Sequence, residues 1–367
     1  MKKILTTAAL ATCVLGVATT AMAGNKDRTG QAGATELLIN PWGQSTGVFG
    51  LNTSHVKGIE ALKTNIAGLA FVNKTEIGAA YSLYLKGSGV SVNNLGFAQK
   101  LGSNGGVVGV NIMAMNYGEI TVTNYNNPEG NIGSYRPQFF NLQLGYAKAF
   151  SRNIYAGVAA TFVSQQISNV KASGAAFEAG IQYVTGKRDN FHFGITLRNI
   201  GTNMRFTGNG FSLENAAAEN ESYTLNTLTP SEKFEMPTYL NFGVAYDFYL
   251  DENTVAAASD EQKIEAVKPK HRVTAMANFT SNSFNNDFLG LGAEYSFKEM
   301  FMVRGAYRYE KNIGTENSTT MFTGISAGAT VQQRIGEKGP MLAIDYSYRP
   351  TQRPANGVHV FSLRFMR

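Results

Sequence analysis

The residues best equipped for acid–base or metal chemistry are dispersed along the chain. Four histidines, His55, His192, His271 and His359, show no His-Glu-x-x-His or other ligand spacing, so each reads as a lumen or loop residue and no metal or cofactor is called for. Gly208-Asn209-Gly210 and Gly290-Leu291-Gly292 lack the rest of a phosphate-binding fingerprint. No Ser-centred nucleophile elbow is read in the chain, and an enzyme would have to assemble its triad in space. The one cysteine, Cys13, falls in a leader segment and leaves no thiol for catalysis, disulfide or metal. These residues point to binding, not to bond making.

Candidate binding chemistry lies in two places. Arg304, Arg308, Asp345, Arg349 and Arg364 fall on one face of period-two segments near the C-terminus. Mixed charges facing inward suit an ion-pair network that braces a wide barrel; the other use, a selectivity filter, tends towards rings of one sign. Aromatic side chains crowd two long polar connections: Tyr117, Tyr125, Tyr135, Phe139 and Phe140 around the first, and Phe206, Phe211 and Tyr223 in the second. Large aromatics anchor interfaces, so Tyr125, Tyr135, Phe206, Phe211 and Tyr223 are the candidate contacts for a protein partner. Phe139 and Phe140 adjoin a strand and suit an aromatic girdle at the lipid surface.

The elements that must position these residues are strands. The chain ends on His359-Val360-Phe361-Ser362-Leu363-Arg364-Phe365-Met366-Arg367, which puts Phe361, Leu363 and Phe365 on one face. About fourteen such segments run from Thr75 to Leu85 through Gly357 to Arg367, each near the ~10 residues that a tilted membrane strand needs. In Pro237 to Leu250, residues Leu240, Phe242, Val244, Tyr246, Phe248 and Leu250 face one way, and Asn241, Gly243, Ala245 and Asp247 the other. The fold expected is all-β: a transmembrane antiparallel β-barrel of about fourteen strands over 75–367. An even count returns both ends to the periplasmic side. Short turns such as Ser151-Arg152 and Lys298-Glu299 then fall inside, and the long connections Gly118 to Pro137 and Thr202 to Met236 fall outside. Asp251 to Lys268 breaks this rule as a long periplasmic excursion, read either as a solvated charged loop or as a short partner-docking element.

The start of the chain sets the compartment. Lys2 and Lys3, the apolar run Ile4 to Val17 and the small-x-small site Ala21-Met22-Ala23 describe a signal peptide over 1–23. Leu10-Ala11-Thr12-Cys13 loosely resembles a lipoprotein box, but Thr before the Cys is atypical. The formal net charge of +6 falls to +4 once Lys2 and Lys3 leave, and no basic run with interleaved aromatics appears, so nucleic acid is not an expected partner. Membrane lipid and lipopolysaccharide are. Residues 24–74 precede the first strand and are too polar to cross lipid. They suit a plug folded into the lumen, or alternatively a small periplasmic cap. Small inward residues such as Gly157 and Ala159 leave room for the plug.

The order Leu37-Leu38-Ile39-Asn40-Pro41-Trp42, a Gly-rich stretch, an amphipathic run from His55 to Lys63 and then Asn65-Ile66-Ala67-Gly68-Leu69-Ala70 resembles the PorV/PorQ family of Bacteroidota outer-membrane proteins. That family lies within the wider FadL-like class of fourteen-stranded barrels with an N-terminal plug. Leu38, Pro41, Trp42, Asn65 and Gly68 carry the match. This chain departs from the pattern at Ile66, where many relatives have Pro, and at Trp42-Gly43-Gln44, where a small-Arg pair is more usual. The resemblance favours the PorV side. It implies a non-enzymatic role in type IX secretion, in which outer loops bind cargo C-terminal sorting domains or secretion-system proteins and pass or anchor them at the cell surface. The alternative is a FadL-type transporter of hydrophobic small molecules.

Overall fold

The computed structural model describes residues 24–102, 105–216, 224–229, 231–251, 270–336, 339–352 and 356–367. The signal segment 1–23, Tyr223 and nearly all of the connection after Asp251 lie outside the described residues.

Alternation, with β-branched and aromatic residues on one face, produces fourteen long strands: β1 (Thr75–Leu83), β2 (Ser91–Lys100), β3 (Val107–Asn116), β4 (Gln138–Ala149), β5 (Ile154–Ile167), β6 (Val170–Thr185), β7 (Phe191–Gly201), β8 (Tyr239–Tyr249), β9 (His271–Asn282), β10 (Phe288–Phe297), β11 (Phe301–Glu310), β12 (Ile325–Arg334), β13 (Met341–Arg349) and β14 (Val358–Met366). Each pairs antiparallel with its sequence neighbour. β1 also pairs with β14, from Glu76↔Met366 to Leu83↔His359, and the sheet closes. Closure satisfies every edge, as a span through lipid requires.

One face of the wall is apolar and uncovered. Phe242, Val244, Tyr246 and Phe248 of β8 and Phe361, Leu363 and Phe365 of β14 are exposed, while Asn241, Asp247, Ser362 and Arg364 are buried on the inner face. An exterior of this kind all round a closed barrel is a lipid-facing surface, and the protein is an outer-membrane barrel.

The lumen is occupied. From Ala34 to Val72 the chain folds as short pieces inside the wall, with 3-10 turns at Thr35–Leu38, Gly58–Lys63 and Ile66–Phe71 and one α-helical turn at Gly43–Thr46. Asn25, Asp27 and Thr29 to Gln31 are instead exposed, and Arg28 beside them pairs with Glu235 of an outer connection. Inward glycines make the space. A Cβ at Gly96 would stand 2.8 Å from the Trp42 ring, one at Gly145 2.6 Å from Ile66 and one at Gly290 2.2 Å from Leu51. These contacts come from strands on opposite sides of the barrel, so the segment is surrounded. The amphipathic helix expected over His55 to Lys63 is instead the 3-10 turn Gly58–Lys63, buried at every position, because the wall encloses it and no face meets bulk water.

The long outer connections differ from each other. After β3, Ile120–Thr121 and Ser134–Tyr135 pair as a small hairpin that stands up from the rim. After β7 the chain turns inward. Met204 and Phe234 exchange main-chain hydrogen bonds at 2.9 Å, and Met204 and Met236 pack with Leu37, Val163 and Ala176 in an apolar cluster under the rim. A bulge in β7 sets Arg198 and Asn199 against the single residue Glu178 of β6, with Asn199 at φ 59, so both side chains point inward.

Candidate binding site in the barrel lumen

The N-terminal segment divides the lumen in two. An outer cavity of about 510 Å³ opens between the segment and the outer ends of the strands, and an inner one of about 540 Å³ lies on the periplasmic side. Thr46, Phe49 and Lys63 face the first; Gln44, His55 and Gly58 face the second. The outer cavity falls in the size range of small-molecule sites.

The inner half is braced by ion pairs. Arg364 stands 3.0 Å from Asp345 and 3.4 Å from Glu60 of the N-terminal segment. Arg304 pairs with Glu294 at 2.8 Å, and Arg272 reaches Glu294 (3.2 Å), Glu299 (2.6 Å) and Asp247 (3.4 Å). His192 closes the chain on Asp247 at 3.0 Å. Buried pairs of this kind hold position more than they add stability, and here they join wall to segment. Burial pushes the Glu60 carboxyl up from its usual range, opposed by Arg364.

A second clamp crosses further out. Arg198 pairs with Glu178 at 2.8 Å and donates from Nη1 to the main-chain carbonyl of Lys63. Burial, reinforced by Arg198, lowers the Lys63 ammonium to about 8. Glu36, raised by burial, accepts from Gln165 at 2.8 Å.

The outer cavity is aromatic and cationic. Phe49 projects into it from a left-handed backbone at φ 59, unusual for a bulky residue, and meets Phe322 edge-on at 5.4 Å. Arg308 lies 4.4 Å above the Phe49 ring and 4.6 Å above Phe288; Arg349 lies 5.3 Å from Phe49 and 4.6 Å from Phe322. Tyr84, Met115 and Tyr117 complete the apolar wall.

The sequence-derived candidates sort unevenly. Arg304, Asp345 and Arg364 meet in the inner ion-pair region, whereas Arg308 and Arg349 stand apart in the outer cavity, because β11 and β13 carry them two pleat repeats nearer the rim than Arg304 and Asp345. Of the N-terminal motif, Trp42 is fully buried, Asn65 donates to Thr53 (2.9 Å) and Ile181 (3.1 Å), and Gly68 sits where a Cβ would meet Val56 O at 2.1 Å. Pro41 leads into Trp42, and Leu38 lines the outer cavity. Tyr125 is 100% exposed. Tyr135 lies in the rim hairpin, Phe211 is half-buried, and Phe206 packs on Phe234 at 5.6 Å, so these aromatics do not form one surface. Phe139 is not in a lipid-facing girdle. The strand period turns it inward onto Tyr117 at 4.8 Å, and only Phe140 faces out.

Sequence reasoning passed over Glu178, Arg198, Arg272, Glu294 and Phe49. The first four occupy the inward register of their strands and were findable by the same alternation; Phe49 carries no pattern. It also passed over Gly324-Ile325-Ser326-Ala327-Gly328, which has the spacing of a nucleophile elbow. That stretch runs straight into β12, and Ser326 donates to Gly47 O at 3.1 Å, so it is wall rather than elbow. Among the described residues no cluster of three or more histidine, cysteine or acidic side chains could hold a metal.

No protein-family model matches the chain, and no curated protein does. Solved structures do. The structure described as the CymD monoaromatic hydrocarbon channel is 12% identical, with a TM-score of 0.56 over 90% of this chain and 98% of that one. The toluene transporter TodX of Pseudomonas putida is 11% identical, with a TM-score of 0.54 over 89% and 97%. At such identities the likeness is one of fold. The chain has the architecture of the FadL-like outer-membrane barrels.

Proposed function

We propose that this protein is an outer-membrane channel that takes up small hydrophobic molecules and does no bond chemistry itself. The observation that carries the reading is the outer cavity: a pocket of about 510 Å³ in which Phe49, Tyr84, Met115, Phe288 and Phe322 form an apolar wall, with polar residues such as Asn241, Thr280 and Glu310 lining the rest, at the cell-surface end of a lumen closed below by the N-terminal segment. Such a wall offers an apolar solute a favourable transfer from water of about 25 cal/mol per Å² removed. The fold is shared with a monoaromatic hydrocarbon channel and a toluene transporter. Residues 24–74 act in this reading as the plug that prevents a free aqueous pore. The test is equilibrium binding of naphthalene to the purified barrel, followed by its entry into vesicles that carry the protein. Saturable binding that Phe49→Ala weakens supports the channel; no binding at any soluble concentration overturns it.

A second reading, a PorV-like secretion partner, rests on the motifs at Leu37 to Pro41 and Asn65 to Ala70, and the wholly exposed Tyr125 on the rim hairpin favours it. Co-purification from outer membranes with proteins bearing a C-terminal sorting domain supports it. Recovery of neither these nor secretion components removes it.

A further inference from the structure

We propose that Arg308 and Arg349 form an anion-binding subsite in the outer cavity, and that the ligand is an aryl carboxylate rather than a neutral hydrocarbon. The inference rests on the channel reading above and specifies its ligand. Both guanidiniums lie over the same plug ring, Phe49, and each is also stacked on a second ring, Phe288 or Phe322.

The charges there do not balance. Arg308 stands 3.4 Å from Glu310, a carboxylate that also accepts from Thr319 at 2.8 Å. Arg349 is 7% exposed, and its side chain makes no hydrogen bond or ion pair among the described residues; its Nε is buried without an acceptor. The Nε of Arg308 is buried without one too. Among the described residues Arg364, Arg304, Arg272 and Arg198 each hold at least one carboxylate, as Arg308 does, and Arg349 holds none. A buried guanidinium without a counter-charge is costly, and its planar fork is shaped for a carboxylate. The stacked rings fill the faces of the two forks; Nη2 of Arg308 already serves Glu310 and Thr320 (3.1 Å), so the edge of Arg349 is the main binding element and Arg308 adds charge beside it.

Phe49 supplies a separate argument. Its left-handed backbone costs free energy, and that strain places an aromatic ring between the two arginines. The result is a floor that stacks a flat apolar body and presents cations at its edge. Because the site lies within the lumen, below the rim, a free solute reaches it more readily than a headgroup of the outer leaflet.

The experiment uses the full-length barrel in detergent and three probes: 2-naphthoate, naphthalene and decanoate. On the unaltered protein 2-naphthoate should bind roughly tenfold or more tightly than naphthalene, and the advantage should shrink as salt rises. Arg349→Met should remove most of that advantage and leave naphthalene binding nearly unchanged, with gel mobility before and after heating as the folding control; Arg349→Lys should keep part of it. Equal affinity for 2-naphthoate and naphthalene on the unaltered protein overturns the anion subsite while leaving the channel reading intact. Decanoate binding as tightly as 2-naphthoate overturns the aromatic specification. If none of the three binds, the channel reading fails and the subsite with it.

Discussion

Nε of Arg364 lies 3.4 Å from Oε1 of Glu60, and through this pair the last strand of the barrel grips the segment that precedes the first. Asp345 shares the same guanidinium at 3.0 Å. All three are buried, so removing the cation strands two carboxylates in the lumen. Arg364→Ala is expected to cost about 3–5 kcal/mol at this contact. The loss should fall on the seating of residues 24–74, because the wall is closed independently by main-chain bonds between β1 and β14. In planar bilayers the intact protein should be nearly silent and the folded variant should conduct. Large steady currents from the intact protein would contradict the plug.

A gentler perturbation isolates the segment from the wall. At Gly68 an added Cβ would approach Val56 O to 2.1 Å, a main-chain atom that cannot swing away. Overpacking of this kind commonly costs 1–3 kcal/mol. Gly68→Ala should loosen the packing around Leu69 and Trp42, and Trp42, the one tryptophan in the chain, reports it. Acrylamide quenching of its emission should rise while heat-modifiable gel mobility stays the same; unchanged quenching would show that the segment absorbs the methyl.

The wall was legible in the sequence and the contents of the lumen only in part. Alternation is a local signal, and it located every strand from Thr75–Leu83 to Val358–Met366, since lipid on one side and a crowded lumen on the other impose period two on each. The same alternation placed Arg304, Asp345 and Arg364 inside. What it could not give was depth. Arg349 and Arg364 share a face, yet one stands bare over Phe49 and the other is held by Asp345 and Glu60, a difference made by where the N-terminal segment crosses the lumen. Phe206 illustrates the same limit: nothing nearby in sequence announces Phe234, twenty-eight positions on, as its partner.

Lys63 gives the N-terminal segment a pH dependence of defined sign. Its folded pKa is lowered to about 8 from 10.5, by burial first and by Arg198 second, with Glu178 and Glu36 opposing. Between those two values the unseated lysine still carries a proton that the seated one has lost. Seating therefore becomes more favourable as pH rises from about 8 towards 10.5, and the burial cost is fully present below about 8. Quenching of Trp42 should decline between pH 7.5 and 9.5. Lys63→Met should abolish that slope; an equal slope in the variant would assign it to another group.

The two outer connections should respond differently to loss of an aromatic ring. Tyr125 is 100% exposed on its hairpin, and Tyr125→Ala should leave barrel stability within about 0.5 kcal/mol, as changes at exposed positions usually do. Phe206 packs 5.6 Å from Phe234 above the cluster of Met204, Met236 and Leu37, so Phe206→Ala removes part of the contact that folds its connection inward. Limited proteolysis between 202 and 238 should accelerate in Phe206→Ala and not in Tyr125→Ala. The pair also separates the two functional readings. If the rim binds a secretion partner, Tyr125→Ala should weaken capture of a sorting-domain fusion by tenfold or more, since an interface anchor commonly contributes about 2 kcal/mol. If the lumen takes up small molecules instead, Tyr125→Ala should be silent, and Phe206→Ala should reach naphthalene binding only through Leu37, which shares its cluster and adjoins the cavity residues Glu36 and Leu38. A Phe206→Ala protein with unchanged cleavage would mean that the inward fold of this connection rests on Met204 and Met236 alone.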